Sequence, residues 1–488
     1  MPELKIPHHS FMDFIQFLKK SRVELLCGLG LYLVLYFFVT ALYPMPGTLV
    51  DSANYVYCAK VMKLGGFRPF GYSWYINFIH GFSASLGFLI ASQFFLTGLS
   101  SLFFCFSVKY FFRIQSSLLW YSFLGVTVVA PSALFLANSL LSDSLFFALT
   151  LFWLGSALWI IYCQNIFMIV VHVLTMYWAM EVRYTGVFYP VISAAIFFMS
   201  FKRIALRLGL AASSVLMIVF FVKKTKNEMK REFDVEIFSG FTGWTTLNNA
   251  LHILPYTDLD PRKIKDDDTQ AFFKYALSFD SSIYKRKVYT YFMWSKESPL
   301  KKYLNYRIQT EQMPYIQAWL LCGKDFDKYG SYLIKKYPGQ YLKHYFIPNL
   351  FSIFYPPTHQ GFIFFSDEIV VDDMFHEWYG LEKGIKFSPG STLFKDYAQV
   401  IVIGNLLIWL AFFAAALLVL IKRKQLMLAN NDWKAGIMLV VFVVLFTGFS
   451  AYAAPYEIRY GLPVRPVLLA IPFIVFSFMS KARSIRTL

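Results

Sequence analysis

The sequence predicts an all-α polytopic membrane protein, a bundle of about ten transmembrane helices that carries a mainly helical external domain. Three observations predict it. Of 488 residues, 57% are hydrophobic and only 15% charged, with a mean hydropathy of +0.50, whereas a soluble domain carries about 25% charge. Apolar runs near the ~20 residues needed to cross roughly 30 Å of hydrocarbon recur along the chain. Basic residues are also shared unevenly between alternate loops, as in an oriented bundle.

The first stretch, MPELKIPHHSFMDFIQFLKKSR, has neither an apolar core nor a small-residue cleavage site, so it reads as an interfacial amphipathic helix rather than a cleaved signal. Ten apolar runs follow, at 23–43, 86–107, 117–137, 144–162, 166–180, 186–201, 207–222, 398–421, 435–454 and 463–480. They divide the chain into a seven-helix block at 1–222, with its first external loop at 44–85, an external domain at 223–397, and a three-helix block at 398–488. Within the external domain, AFFKYALSFDSSIYKRKVYTYFMW and YGSYLIKKYPGQYLKHYFIPNLF read as helices, and YPPTHQG and FSPGST as breaks.

Charge orients the bundle. With a cytoplasmic N-terminus, the short loops on that side hold 16 basic residues, and the opposite short loops hold 6: Lys60, Lys63, Arg68, Arg183, Arg459 and Arg465. That asymmetry places both termini in the cytoplasm and 223–397 outside, in the periplasmic or extracellular space of a multi-pass protein of the cell (inner) membrane. The other 24 basic residues lie in 223–397, a segment long enough to be translocated largely regardless of its charge. The net charge of +17 is therefore topogenic signal plus a basic external domain, and nucleic acid is a poor partner for it. Of five cysteines, Cys58 and Cys322 would both face outward, where a disulfide is permitted, but unpaired buried thiols are the simpler reading.

The acidic residues carry the functional signal. Only eight lie outside 223–397, and four of them, Asp51, Asp143, Glu181 and Glu457, map to the outer ends of helices. A carboxylate near hydrocarbon is costly unless it is paired or faces water, so such residues mark a site. Arg68, Arg183, Arg459 and Arg465 stand in the same outer loops. Interfacial ion pairs and snorkelling account for any one of these residues; four acids and four arginines gathered on one face point to a site.

The order of these residues carries a resemblance. An outer Asp follows the first helix (Asp51 in LVDSANYVYCAKVMKLGG), then comes a basic aromatic run (FRPFGYSWYINFIHGF) and an acid opening a later helix (Asp143 in ANSLLSDSLFFALTLF). An Arg then begins the next turn (EVRYTGVFYPV), and an RY…P…P pattern precedes the last helix (EIRYGLPVRPVLLAIP). The chain thereby resembles the GT-C superfamily of polyprenyl-phosphate-sugar glycosyltransferases, the branch that holds protein O-mannosyltransferases and the lipid A aminoarabinose transferase. The resemblance covers the seven-helix block and the final helix, not the external domain. It implies a GT-C-like bundle and a first loop of two interfacial helices, matching DSANYVYCAKVMKL and FGYSWYINFIHGF. It also implies a lipid-linked sugar as donor partner, a lipid, glycan or protein as acceptor, and membrane lipids around the chain. Trp74 stands where many relatives have Pro, and a single Asp51 where some have paired acids, so a divalent metal is left open and no cofactor is certain.

Such a site needs defined chemistry. A sugar joined through phosphate to an isoprenoid leaves with a stable phosphate anion, so no strong acid is required. A base must take the proton from the acceptor hydroxyl, and positive charge must hold the phosphate. Asp51 is the candidate base, with burial expected to raise its pKa. Arg459 and Arg183, with Arg68 and Arg465 behind them, are candidates for the phosphate, since a planar guanidinium donates in pairs. Asp143 and Glu181 would support them, Asp143 by orienting an arginine or binding part of a metal. Tyr72, His80 and Tyr460 are candidate sugar contacts, although an aromatic interfacial belt accounts for such residues as well.

Other signals are weaker. Asp258 with Asp260, and Asp325 with Asp327, make DxD pairs, but among 21 external-domain acids such pairs arise by chance. Asp266, Asp267 and Asp268 read as the acidic first turn of a helix. Asp372, Asp373, His376 and Glu377 read as a solvated helical face rather than a cation site. Two other classes compete with the transferase. A glycan polymerase or ligase of the cell envelope would rely on arginines without an acidic base, and a lipid or sugar flippase would carry ionisable groups at mid-membrane and broken helices.

Overall fold

A computed structural model describes residues 11–285, 290–357, 369–370, 373–382, 386–387, 393–422, 426 and 428–486. The described residues are helical apart from connections and one antiparallel pair of two-residue strands, Ile369–Val370 with Lys386–Phe387. Among the described residues eight helical stretches are long and apolar enough to cross a membrane, and two shorter apolar helices, Ile166–Val182 and Tyr184–Ser200, accompany them. The chain is thus a polytopic helical membrane protein.

Burial separates the centre of the bundle from its rim. In Ser142–Cys163, 94% of the apolar window is enclosed by protein, against 17% in Arg22–Leu42 and 11% in Ile204–Phe233, whose sides are free to face lipid. The central helix packs on Leu86–Phe112 and Ile166–Val182. Its large side chains, Trp153 and Trp159, are fully buried, and each finds a serine for its indole N–H: Ser193 at 3.1 Å and Ser107 at 3.2 Å. Such pairing offsets the cost of a polar group away from water.

Several elements differ from the sequence-based expectation. The run 117–137 is two helices, Ser117–Val128 and Pro131–Ala137, because Pro131 lacks the N–H needed to continue the first and starts the second. The seventh span does not end at 222; Ile204–Phe233 continues as one helix into the large inter-span domain that precedes Leu393–Lys422. The stretch 271–294 is not one helix. Asp267–Ala276, the turn Ser281–Lys285 and the short helix Tyr291–Trp294 occupy it. The stretch 329–351 is divided at Pro338 between Tyr315–Lys336 and the segments that lead to Ile347–Phe354. At the N-terminal end Phe11–Lys20 is helical, with the Phe14 ring 4.8 Å from that of Trp159.

This inter-span domain has its own core. Trp244 and Trp319 stack at 3.7 Å, and the helices that bear them, Thr242–Leu251 and Tyr315–Lys336, cross at glycines. A Cβ on Gly243 would lie 1.6 Å from the Gly323 carbonyl oxygen, so only glycine allows that approach. Cys58 and Cys322 are free buried thiols.

Candidate active site

The loop after Arg22–Leu42 forms the two expected helices, Val50–Val61 and Gly71–His80. Local bonds fix where Asp51 goes. Ser52 Oγ accepts the Leu49 N–H at 2.9 Å and donates to the Leu140 carbonyl at 2.8 Å, while Tyr55 Oη lies 3.0 Å from Ser142 Oγ. Just before, Gly47 and the 138–140 turn exchange backbone bonds at 2.9 Å. The loop helix is thereby stapled to the N-terminus of the central helix. Asp51 and Asp143 sit in the first turns of these two helices, where the dipole favours negative charge.

The second loop helix is set from below. A Cβ on Gly71 would lie 2.5 Å from the Glu181 carbonyl oxygen, so glycine permits the close approach to Ile166–Val182. The turn between the helices carries Arg68, and the inter-span domain holds that turn from above. Gly66 has φ +78°, a Cβ on Gly240 would lie 2.3 Å from the Gly66 carbonyl oxygen, and Phe67 packs on Phe241 and Trp319. The Arg68 guanidinium lies 4.4 Å over the Phe241 ring and bonds Asp51 at 2.8 Å.

The remaining charges converge from the ends of other spans. Arg183 caps the C-terminus of Ile166–Val182 and ion-pairs with Asp143. Arg459, in the 3-10 turn Ile458–Val464, bonds Glu457 through Nε at 2.6 Å and has an Nη 3.6 Å from the other Asp143 oxygen. Asp143 is 4% exposed and stands between two arginines, as expected for a carboxylate that orients them. Tyr460 lies under both, 5.4 Å from Arg183 and 5.2 Å from Arg459.

Together these side chains line a cleft of about 490 Å³. Its floor is Asp51, Arg68, Asp143, Arg183, Arg459 and Tyr460, one wall is apolar, from Phe446, Phe449 and Ala453, and its roof comes from the inter-span domain through Phe241, Thr245 and Trp294. Three guanidinium groups here meet three carboxylates, so the cleft is charge-dense but formally neutral. Burial works to raise the Asp51 carboxyl, yet the guanidinium groups of Arg68, Arg459 and Arg183 outweigh it and hold it below its ordinary value. The expectation of a raised Asp51 pKa is corrected accordingly: three cations dominate over desolvation. Compared with protein-family models, curated proteins and solved structures, the chain matches none.

Four residues expected at the site lie elsewhere. Glu181 accepts from Tyr177 Oη at 2.6 Å and ion-pairs with Lys224, which only the continued helix brings within reach. Arg465 is 8% exposed and donates to Ser132 Oγ behind the cleft wall. Tyr72 is fully buried and donates to Gln93 at 2.7 Å. His80 stacks on Trp378 at 4.1 Å and bonds its carbonyl oxygen, joining the loop to the inter-span domain. Conversely, nothing in the sequence marks the roof, since no local pattern tells that residues near 241 and 294 would cover residues near 51.

The weaker acidic signals have structural partners. Asp266 caps Asp267–Ala276, accepting the Thr269 N–H at 2.9 Å. Asp260 accepts from Arg262, Asp325 from Arg307, and Asp327 from Thr246. Glu377 pairs with Lys60, and His376 Nδ1 is 2.6 Å from the Leu381 carbonyl oxygen, while Asp372 lies outside the described residues. Among the described residues no three His, Cys, Asp or Glu side chains are grouped to hold a metal ion.

Proposed function

We propose that this chain is an integral-membrane glycosyltransferase that moves a sugar from a polyprenyl-phosphate carrier to an acceptor hydroxyl on the external face of the membrane, by a single inverting displacement. The observation that carries the reading is the convergence of Asp51, Arg68, Arg183, Arg459 and Asp143 on one cleft at the shared end of the spans, beneath the external domain. In this reading the two shorter apolar helices also cross, giving ten spans in a GT-C-like bundle. The isoprenoid follows the apolar wall at Phe446 and Phe449, the phosphate lies among the guanidinium groups, and the acceptor enters under the roof.

The paired charges suit this chemistry. Asp51 takes the acceptor proton as the oxygen attacks the anomeric carbon, and the phosphate departs with its charge held by arginines. The incoming phosphate competes for Arg68. That weakens the hold on Asp51 and restores its basicity at the moment it is needed.

The clamp can be tested at Arg459. Its Nε is committed to Glu457, so binding a phosphate needs the remaining fork, which lysine lacks. Arg459→Lys should weaken donor binding about tenfold or more, matching roughly 1.5 to 3 kcal/mol of charge-assisted hydrogen bonding. Competition by polyprenyl phosphate against a labelled donor analogue measures it. Unchanged competition in this variant would make Arg459 a structural anchor for Glu457.

Sidedness is tested separately. Both termini are assigned to the cytoplasm and 223–397 to the outside, so a cysteine placed at the half-exposed Lys328 should react with an impermeant maleimide in intact cells once any outer barrier is opened. Labelling only after the inner membrane is permeabilised would reverse the orientation and put the cleft on the wrong side for a flipped donor.

A further inference from the structure

A second cleft, of about 500 Å³, lies at the opposite end of the bundle from the first. It opens between the C-terminus of Ser142–Cys163, the junction of Tyr189–Ser200 with Ile204–Phe233, and the N-terminus of Asn430–Ala453. Lys202, Arg207 and Lys434 line it, and no acidic residue does. The nearest acid in that first turn, Asp432, is 5% exposed and occupied by Tyr162 Oη at 2.6 Å and the Ala429 N–H at 3.0 Å.

Part of this arrangement is structural. The last turn of Tyr189–Ser200 leaves carbonyl oxygens without helical partners, and side chains of the cleft cap three in succession: Arg207 Nε at Phe198, Lys434 Nζ at Met199 and Gln164 Nε2 at Ser200, at 2.7, 2.8 and 2.6 Å. Capping uses one N–H of each cation and holds both in place, leaving their remaining donors for another acceptor. Lys202 has no acidic partner among the described residues. Independently of the cations, Ser200 is 6% exposed, lines the cleft, and its hydroxyl has no hydrogen-bond partner in the described structure. A buried hydroxyl left unsatisfied is costly, and here it belongs to the same cleft as two fixed cations, Arg207 and Lys434, the exposed Lys202, and the N-terminus of a 24-residue helix at Asn430 and Asn431.

We infer that this cleft binds a phosphate-bearing anion, which Arg207, Lys434 and Lys202 hold by charge and the Ser200 hydroxyl meets by hydrogen bond. Two sources share that chemistry: the headgroup of an anionic phospholipid, whose glycerol phosphate fits a basic pocket between spans, and a free phosphate. This inference is independent of the transferase reading, since the two clefts share no residue.

The test uses the full-length protein purified in neutral detergent, titrated by fluorescence-monitored thermal unfolding with short-chain phosphatidylglycerol, phosphatidylcholine of equal chain length, and inorganic phosphate. Phosphatidylglycerol should stabilise at concentrations at least tenfold below those needed of phosphatidylcholine. If inorganic phosphate matches phosphatidylglycerol, the site takes a free phosphate; if it is tenfold weaker, the lipid headgroup is the ligand; both outcomes uphold the anion site. Lys434→Gln keeps an N–H for the Met199 carbonyl while removing the charge, and Ser200→Ala removes only the hydroxyl. Each should weaken the effect severalfold, and their combination with Lys202→Gln should abolish it, with the melting temperature in neutral detergent unchanged. Equal responses to phosphatidylglycerol and phosphatidylcholine, or a wild-type response in the combined variant, would overturn the inference.

Discussion

Asp51→Asn is expected to lower sugar transfer by ~100-fold or more while the protein folds normally, because the amide keeps the shape of the side chain and an oxygen for Arg68 but accepts no proton. The effect should fall on turnover rather than on donor binding, which the guanidinium groups supply. Asp258→Asn is the matched control. Asp258 is exposed and bonded to the Tyr337 side chain, far in function from the cleft, and its loss should leave transfer near normal. The pH profile adds a signature. Asp51 acts as the carboxylate, and its pKa lies below the ordinary value because three arginines outweigh burial. The activity that depends on it is therefore fully present at neutral pH and is lost only as pH falls through that depressed pKa, below the ordinary carboxylate range. Arg68→Gln removes the first of the opposing cations, so the acid limb of kcat/KM in that variant should move to higher pH. A limb that stays in place when Arg68 is neutralised would assign the proton acceptor to another group.

Asp143→Ala should have the largest effect on stability. Asp143 is 4% exposed and is the acid between Arg183 and Arg459, which is itself 7% exposed. Removing it leaves Arg183 without its ion-pair partner in a largely buried setting, and stranding a buried charge in this way costs about 3 to 5 kcal/mol. Thermal unfolding of the purified variant reads this directly. Glu181→Ala supplies the contrast. Glu181 is paired with the partly exposed Lys224, where solvent screens the loss to about 1 kcal/mol or less. Equal melting temperatures for Asp143→Ala and the unchanged protein would mean that the two arginines do not depend on their shared carboxylate.

These two acids also show what could be read from the sequence and what could not. Asp143, Arg183 and Arg459 were recognisable because each is an ionisable residue close to the end of an apolar run, and Asp51 and Arg68 because they stand in the loop between the first two runs; the cost of charge near hydrocarbon makes such residues scarce. The same argument misplaced Glu181, because its partner Lys224 sits past the expected end of a helix that in fact runs to Phe233. It misplaced Arg465 for a related reason: six residues beyond Arg459, past the 3-10 turn Ile458–Val464, the side chain points behind the wall to Ser132. Tyr72 and His80 lie on a helix whose polar residues, Ser73, Asn77 and His80, share one face, yet Ser73 is buried while Trp74 and Phe78 are exposed, so its polarity pattern does not say which side meets the cleft. The roof was illegible on different grounds. It depends on Gly66 meeting Gly240 and on Phe241 lying over Arg68, contacts between residues more than 170 positions apart in the chain, and no local propensity encodes them.

The measurement that bears most directly on the central claim is transfer of label from a radiolabelled polyprenyl-phosphate sugar by the purified chain in liposomes, with membrane extract as the source of acceptor. The account predicts label in a new product, formed with inverted configuration at the anomeric carbon, and at background level with Asp51→Asn. Absence of transfer from every polyprenyl-phosphate sugar tried, or full transfer by Asp51→Asn, would contradict it.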